Sequence, residues 1–500
     1  MSPAYSPEAH VTQPLRVLLI SSEVEPFAKT GGLADVAGAL PTVLETLGHE
    51  VRVLMPKYRG VERHATLSTA VERIRVPIGE RTTEGALLEG RMGGGIPIYF
   101  LAHDRYYDRP ALYGGGEGDY LDNCERFIFF CRGAIEAIRA LGWTPQVIHA
   151  NDWQSALVPV YLETLFAGDP AVGGIGTLLT IHNLAYQGAF WHFDMPMTGL
   201  GWDLFTPAGL EFYGKLNFLK GGLVFSDVLN TVSKTYAEEI QTPEFGCGLE
   251  GVLQFRRADL HGVVNGIDYA VWDPATDREI VKPYSADDLV GKAACKTALA
   301  EQMELEGDGA PIVGIVSRLA AQKGLDLVLE ALPILVDAGF QFAVLGAGEP
   351  KIEQAFAEAA TSLRGRLGVR TGFDAGLARR IYAGSDMFMM PSRYEPCGLG
   401  QMISMRYGTI PIVRRTGGLA DTVTELKPAR RTGTGFGFSE TTTRALVEAA
   451  MRALAAYREP ALWRQLQRSA MAEDFSWQAS AREYVALYRK AANAAGRGRT

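Results

Sequence analysis

Short, uninterrupted apolar runs alternate along this chain with longer segments whose apolar residues recur every three or four positions. The first run, Val17–Ile20, reads as a buried strand. Leu33, Val36, Ala37, Leu40, Val43, Leu44 and Leu47 follow it at helical spacing. Within that helix Pro41 predicts a bend and Gly48 predicts the end. Val51–Met55 predicts the next strand and completes a β–α–β unit, the connection that parallel strands require. Further strands are predicted at Ile98–Leu101, Val147–Ile148, Leu178–Ile181 and Val228–Val232. A second series follows at Ile312–Val316, Ala343–Leu345, Met387–Met390 and Ile410–Val413. Because the runs are apolar throughout, the strands should be covered on both faces, as in doubly wound α/β sheets.

The two series are separated by Asn265–Tyr284, which has weak periodicity and carries Gly266, Pro274 and Pro283. The expected division is a tail over 1–15, one Rossmann-like domain over 16–266 and a second over 267–475. A C-terminal helix over 476–492, crossing back to the first domain, and a tail over 493–500 complete it. The apolar face of that helix carries Tyr484, Val485, Leu487 and Tyr488.

Composition narrows the function. With 49 basic against 57 acidic residues and no long basic run, a phosphate-tracking nucleic-acid surface is not indicated. Cys124, Cys131, Cys247, Cys295 and Cys397 are irregularly spaced without a C-x-x-C pair, which favours a reducing compartment over a disulfide framework or zinc site. Cys124 and Cys131 read as core residues on one helix face. Met1–Pro14 lacks the basic and apolar regions of a signal peptide, and no apolar run reaches membrane-spanning length, so no membrane partner is expected and the chain reads as cytoplasmic. Glycine is in excess, 56 of 500 residues, against a typical usage of about 7%. That implies many tight turns, or backbone pressed close to a ligand. Gly93–Gly95 and Gly114–Gly116 read as loops.

Ligands of open parallel sheets bind beyond the carboxyl ends of the strands. Polar residues collect there in both series. Ser21-Ser22-Glu23 and Lys29–Gly32 follow the first strand, His149–Trp153 the strand at 147, and His182-Asn183 the strand at 178. In the second series, Ser317-Arg318, Gln322–Gly324, Gly346–Glu349, Pro391–Gly398 and Arg414–Gly418 do the same. One echo is internal: Lys29–Val36 (KTGGLADV) resembles Arg415–Val423 (RTGGLADTV). Each places a cation, a hydroxyl and two glycines at a helix start, where backbone N–H groups favour an anion. Other signals are weak. Gly346-x-Gly348 lacks the third glycine of a dinucleotide fingerprint, since Lys351 stands there. Gly31-Gly32 is not followed by G-K-[ST], so no Walker loop is present. His149 and His182 have no neighbours at metal-ligand spacing, and a lone strand-end histidine is more often a hydrogen-bonding residue.

The combination of motifs resembles the bacterial glycogen synthases and plant starch synthases, retaining glycosyltransferases. The matching segments are Lys29–Val36, Thr180–Gly188 (TIHNLAYQG), Asn265–Asp268 (NGID), Val316–Leu332, Leu345–Pro350, Pro391–Leu399 (PSRYEPCGL), Arg414–Val423 and Asp474–Gln478. The resemblance runs from about residue 16 to about 490. It implies a GT-B fold, two Rossmann-like domains with a cleft between them. The implied reaction transfers glucose from ADP-glucose to the non-reducing end of glycogen or another α-1,4-glucan, with retention and without a metal or cofactor.

The resemblance also implies the site. Arg318 and Lys323 correspond to the phosphate-binding pair, and Glu395 to the active-site carboxylate. Asp152 and His182 are implied as the catalytic residues of the first domain. Lys29, Gly31, Gly32, Asn265, Gly346, Phe373, Gly398, Leu399, Gly400, Thr416, Gly417 and Gly418 correspond to donor-binding positions. Trp153, Gln154 and Tyr186 correspond to acceptor-binding ones. Aromatic residues crowd Tyr186–Phe218, namely Phe190, Trp191, Phe193, Trp202, Phe205, Phe212 and Tyr213 as well as the two ends. They suit either sugar stacking or a packed insertion. The chain departs from the family in having Asn151 and Gln154 where histidine is common, Gly400 for threonine, and Phe373 for tyrosine. Rival readings are a transferase using UDP-glucose or another acceptor, an inactive glucan-binding module, and a dehydrogenase. The module is disfavoured because Lys29, Asp152, Arg318, Lys323 and Glu395 are all present, and the dehydrogenase by the incomplete glycine fingerprint.

Overall fold

The computed structural model of the chain describes residues 13–115 and 118–497. The described residues divide into two compact units: 13–115, 118–230, 251–260 and 481–497 form one, and 231–250 and 261–480 form the other. The chain therefore first leaves unit 1 at Thr231, earlier than the boundary expected at residue 266. The segment 231–250 joins unit 2 because its helix Lys234–Glu239 packs on helix Gly417–Thr422. The expected N-terminal tail lies almost wholly outside the described residues.

Unit 1 is built on a nine-stranded sheet. Its strands are β1 (Arg16–Ile20), β2 (Glu50–Pro56), β3 (Ser68–Ile78), β4 (Arg81–Met92), β5 (Ile96–Ala102), β6 (Val147–Asn151), β7 (Gly176–Ile181), β8 (Val228–Thr231) and β9 (Leu260–Gly262). The spatial order is β9-β8-β7-β6-β1-β2-β5-β4-β3. Strand β1 pairs in parallel with β2 on one side and β6 on the other. Val17, Leu18, Leu19 and Ile20 are all buried, as a continuous apolar run between two covered faces requires. The predicted helix forms as Gly32–Thr46, continuous through Pro41. Beyond it Gly48, at φ 85°, returns its N–H to Glu45. Cys124 and Cys131 are buried in helix Asn123–Leu141. Gly93–Gly95 form a single tight turn between β4 and β5, and Gly114–Gly115 pair with Gly118 and Asp119 as a short antiparallel rung.

Unit 2 carries a six-stranded parallel sheet of β10 (Ile312–Val316), β11 (Gln341–Gly346), β12 (Leu367–Thr371), β13 (Met387–Met390), β14 (Ile410–Arg414) and β15 (Phe436–Phe438). The order is β12-β11-β10-β13-β14-β15. Helices Leu325–Asp337 and Thr443–Tyr457 contribute apolar faces to its core, with Val328, Leu335, Leu446 and Ala453 fully buried.

The last helix spans Trp477–Arg497, five residues further than expected, so most of the expected C-terminal tail is helical. Its first turn belongs to unit 2, where Ser480 donates to the Val264 carbonyl. From residue 481 it belongs to unit 1. There the Tyr484 and Tyr488 rings are fully buried, and the Tyr488 hydroxyl lies 2.9 Å from Nδ1 of His149. No helix among the described residues is long and apolar enough to cross a membrane.

Candidate functional site

In each unit the sequence-predicted carboxylate follows a strand at the point where the strand order reverses, the crevice that open α/β sheets use for ligands. In unit 1 this point lies between β1 and β6. Strand β6 is longer than predicted and includes His149 and Asn151. His149 is therefore an interior strand residue, bonded at Nδ1 to Tyr488 and at Nε2 to Thr180. Asp152 is the first residue past the strand and adopts φ 54°, a left-handed conformation uncommon for a side chain with a Cβ. Its Oδ1 accepts the backbone N–H of His182 at 2.7 Å. Burial pushes its carboxyl up to about 7, against the backbone N–H groups of His182 and Asn183 and with a further push from Glu23. An acid tuned to that range can hold or release a proton near neutrality.

His182 is buried, and burial lowers its imidazole to about 3, so it is neutral at physiological pH. Its Nε2 lies 2.9 Å from Oδ1 of Asn151. The Asn151 amide nitrogen donates to the carbonyls of Ile20 and His149, so Oδ1 faces the imidazole as an acceptor. That arrangement puts the ring proton on Nε2 and leaves Nδ1 as an acceptor. Asn151, a departure from the family pattern, thus fixes the tautomer of His182.

Trp153 is buried against Phe127, Phe190 and Tyr113. Gly188, at φ 62°, presses on its ring so closely that a Cβ would lie 2.4 Å from it. Gln154 is buried, and its Oε1 has no hydrogen-bond partner. Lys29 is half-exposed and paired with Asp35 at 2.6 Å and Glu25 at 3.6 Å. Gly31 and Gly32 open their helix with exposed backbone. In the aromatic stretch, Tyr186 (56%), Trp191 (63%), Phe193 (59%), Trp202 (51%) and Tyr213 (82%) are exposed, while Phe218 is fully buried.

In unit 2 the reversal lies between β10 and β13. Lys323, on the loop after β10, places its ammonium 2.6 Å from Oε2 of Glu395, on the loop after β13. Ser392 donates to the same oxygen at 2.9 Å. The loops interlock further, as Arg393 N–H donates to the Gln322 carbonyl and Gln322 Nε2 to the Tyr394 carbonyl. Arg318 is exposed, with its guanidinium 3.5 Å from Gln322. Phe373 is 95% exposed, and Gly372 beside it donates its N–H to the Gly346 carbonyl. Gly398 has φ 74°, Leu399 caps helix Gly400–Arg406, and a Cβ on Gly400 would lie 3.0 Å from the Phe388 ring. Asn265 is buried with Oδ1 unpartnered, and its backbone N–H partly offsets the effect of burial on the Cys397 thiol. Burial pushes that thiol up to about 12, so Cys397 is not a thiolate at neutral pH.

The second Thr-Gly-Gly motif differs from expectation. Thr416 is buried and gives its hydroxyl to Glu239, Gly417 gives its N–H to the same carboxylate, and Gly418 donates to the carbonyls of Glu395 and Pro396. These donors are used within the unit, not presented to an external anion, because Glu239 already supplies the negative charge.

Similarity to known proteins follows the same pattern. Residues 16–255 match a family model described as the starch synthase catalytic domain, and residues 310–456 match one described as glycosyl transferases group 1. The glycogen synthase of Syntrophotalea carbinolica is 50% identical over 479 residues, covering 95% of this chain and 99% of its own. The chain belongs to the glycogen synthase family. Within that glycosyltransferase family, the glycogen synthase of an Anaeromyxobacter species is 48% identical over 96% of this chain and all of its own. The catalytic domain of starch synthase IV from Arabidopsis thaliana, solved bound to ADP and acarbose, superposes with a TM-score of 0.88 at 33% identity. It covers 96% of this chain and 100% of its own. The match confirms the GT-B fold expected from the motifs.

The structure adds residues to this candidate site that the motifs left without a role. Glu23 is buried and accepts from the Thr30 hydroxyl and backbone N–H and from the Tyr113 hydroxyl. Its position directly after β1 was the available sequence signal. Tyr113 gives no such signal, since it lies in an irregular stretch far along the chain. Among the described residues, no three His, Cys, Asp or Glu side chains gather as a metal ligand set.

Proposed function

We propose that the chain is an ADP-glucose-dependent glycogen synthase that adds glucose to the non-reducing ends of an α-1,4-glucan with retention of configuration. The observation that carries this reading is the Lys323–Glu395 pair at the strand reversal of unit 2, with Arg318 beside it. Breaking the bond from the sugar C1 to the diphosphate leaves negative charge on ADP. Lys323, held by Glu395, and the exposed Arg318 are cations suited to receive it, with no metal or cofactor required. Glu395, held by Ser392 and Lys323, orients the ammonium and presents a carboxylate toward the sugar. In unit 1, Asp152 titrates in the range suited to taking the acceptor hydroxyl's proton. The neutral His182 offers Nδ1 as an acceptor to a sugar hydroxyl. ADP and acarbose in the starch synthase IV structure support a nucleotide donor and a glucan-like acceptor.

The test is incorporation of labelled glucose into glycogen from ADP-glucose and from UDP-glucose. Incorporation from ADP-glucose, released again by an α-1,4-specific glucosidase, is expected. Transfer from UDP-glucose alone would overturn the donor assignment, and none from either would leave a glucan-binding module. Lys323→Ala removes one preorganised donor, which costs about 2.7–4 kcal/mol of transition-state stabilisation, so kcat should fall about 100-fold or more. Near-normal turnover in that variant would remove Lys323 from the reaction.

A further inference from the structure

We propose that Glu239 is a positioning residue for the donor-binding loop Glu395–Gly400, acting through the Thr416-Gly417-Gly418 turn. Four observations, all within unit 2, support this. First, the Glu239 carboxylate takes the Thr416 hydroxyl at 2.9 Å and the Gly417 N–H at 3.1 Å to each oxygen. Second, the turn so held is packed directly on the loop. A Cβ on Gly417 would lie 2.1 Å from the Glu395 carbonyl oxygen, and one on Gly418 2.0 Å from that of Cys397. Third, the Gly418 N–H donates to the Glu395 and Pro396 carbonyls at 3.2 and 3.1 Å. Fourth, Glu395 is the residue whose carboxylate fixes Lys323. A displacement of the turn therefore has no slack to absorb it before it reaches the Lys323–Glu395 pair.

The two helices also grip each other in the opposite sense. Asp421 accepts the backbone N–H groups of Lys234 and Thr235 at 2.6 and 3.1 Å and the Thr235 hydroxyl at 2.6 Å. Asp421 thus caps the helix that carries Glu239, while Glu239 caps the helix that carries Asp421. The Glu239 end of this clasp bonds the Thr416-Gly417 turn, whereas the Asp421 carboxylate bonds the Lys234-Thr235 end of the other helix. The same device occurs in unit 1, where Glu23 takes the hydroxyl and N–H of Thr30 in the first Thr-Gly-Gly motif. In both copies, then, a carboxylate from within the unit engages the threonine and orders the turn.

The inference rests on the ADP-glucose reading of the site, and the two fail separately. The experiment compares Glu239→Gln with Asp421→Asn, measuring the ADP dissociation constant by calorimetry, KM for ADP-glucose and for glycogen, kcat, and Tm. Gln retains one acceptor but turns an N–H toward that of Gly417. For Glu239→Gln the expected result is at least a fivefold weaker ADP complex and at least a tenfold lower kcat/KM for ADP-glucose, with the glycogen KM unchanged. Asp421→Asn should lower Tm while its ADP affinity and donor KM stay within twofold of wild type. If both variants lower Tm and change the donor constants alike, or if Glu239→Gln leaves them within twofold, the positioning role is wrong. Should Glu239→Gln fail to fold, Thr416→Val, which removes one of the three bonds, carries the same expectation with a threefold threshold on ADP affinity. Wild-type protein that binds ADP but transfers no glucose would overturn the functional reading, leaving the effect of Glu239 on ADP affinity as its own test.

Discussion

Asp152 concentrates three costs in one residue: a left-handed backbone, a buried carboxylate and two backbone donors that must be met. Strain and desolvation of this kind persist where function uses them. The consequence for stability has a definite sign. Below about pH 4 both folded and unfolded chains hold the proton. Between about pH 4 and about pH 7 the unfolded chain releases it while the folded chain keeps it, so stability falls as pH rises through this window and levels off above it. Asp152→Asn has no such slope, and asparagine tolerates the left-handed conformation well. Urea denaturation should show the variant gaining ~3 kcal/mol on wild type between pH 4.5 and pH 8. A difference that is flat with pH would mean that the carboxyl is not shifted. Wild-type turnover should rise as pH increases through about 7, and the same variant should lose that rise.

At the scale of elements, helix Trp477–Arg497 illustrates how burial and hydrogen bonding combine. Its tyrosines lie against β6 and β8, where Tyr488 meets the ring of His149 and the Asn230 amide donates to Tyr484. Removing the Tyr488 hydroxyl leaves Nδ1 of a fully buried histidine without its partner. Tyr488→Phe should therefore cost about 1–3 kcal/mol, read as a lower Tm, with kcat little changed. This helix was legible in sequence because its apolar stripe is long and regular. The doubly wound strands were legible because both faces are buried and their apolar runs are continuous. Strands β3 and β4 were not, since only alternate residues such as Ile74, Val76 and Ile78 are buried and the run never becomes continuously apolar. Strands β12 and β15 lie at the edges of their sheet and are short or half-polar for the same reason. The placement of Lys323, Glu395 and Asp152 beyond strand ends was readable from the motifs. Glu239 was not, because its role depends on a tertiary contact with a turn 177 residues away.

At the scale of the molecule, the two units repeat one plan. In each, the first strand of the series lies beside both the second and the fourth parallel strand, and the key carboxylate follows the fourth. Asp152 follows β6 in unit 1 and Glu395 follows β13 in unit 2. Each first strand is followed by a loop that meets this carboxylate: the Glu23 loop lies near Asp152, and Lys323 bonds Glu395. The cations suited to a diphosphate, Arg318 and Lys323, are in unit 2, whereas the group suited to a hydroxyl's proton is in unit 1. Donor and acceptor functions should therefore separate by unit in mutants. Arg318→Ala and Lys323→Ala should each weaken ADP binding at least tenfold in calorimetry, because each removes a charge-assisted hydrogen bond. Asp152→Asn should leave the ADP dissociation constant within twofold of wild type while lowering kcat at least tenfold. If Asp152→Asn weakened ADP as much as Lys323→Ala does, the carboxylate would belong to the donor machinery, and its raised pKa would then serve nucleotide binding instead of proton transfer.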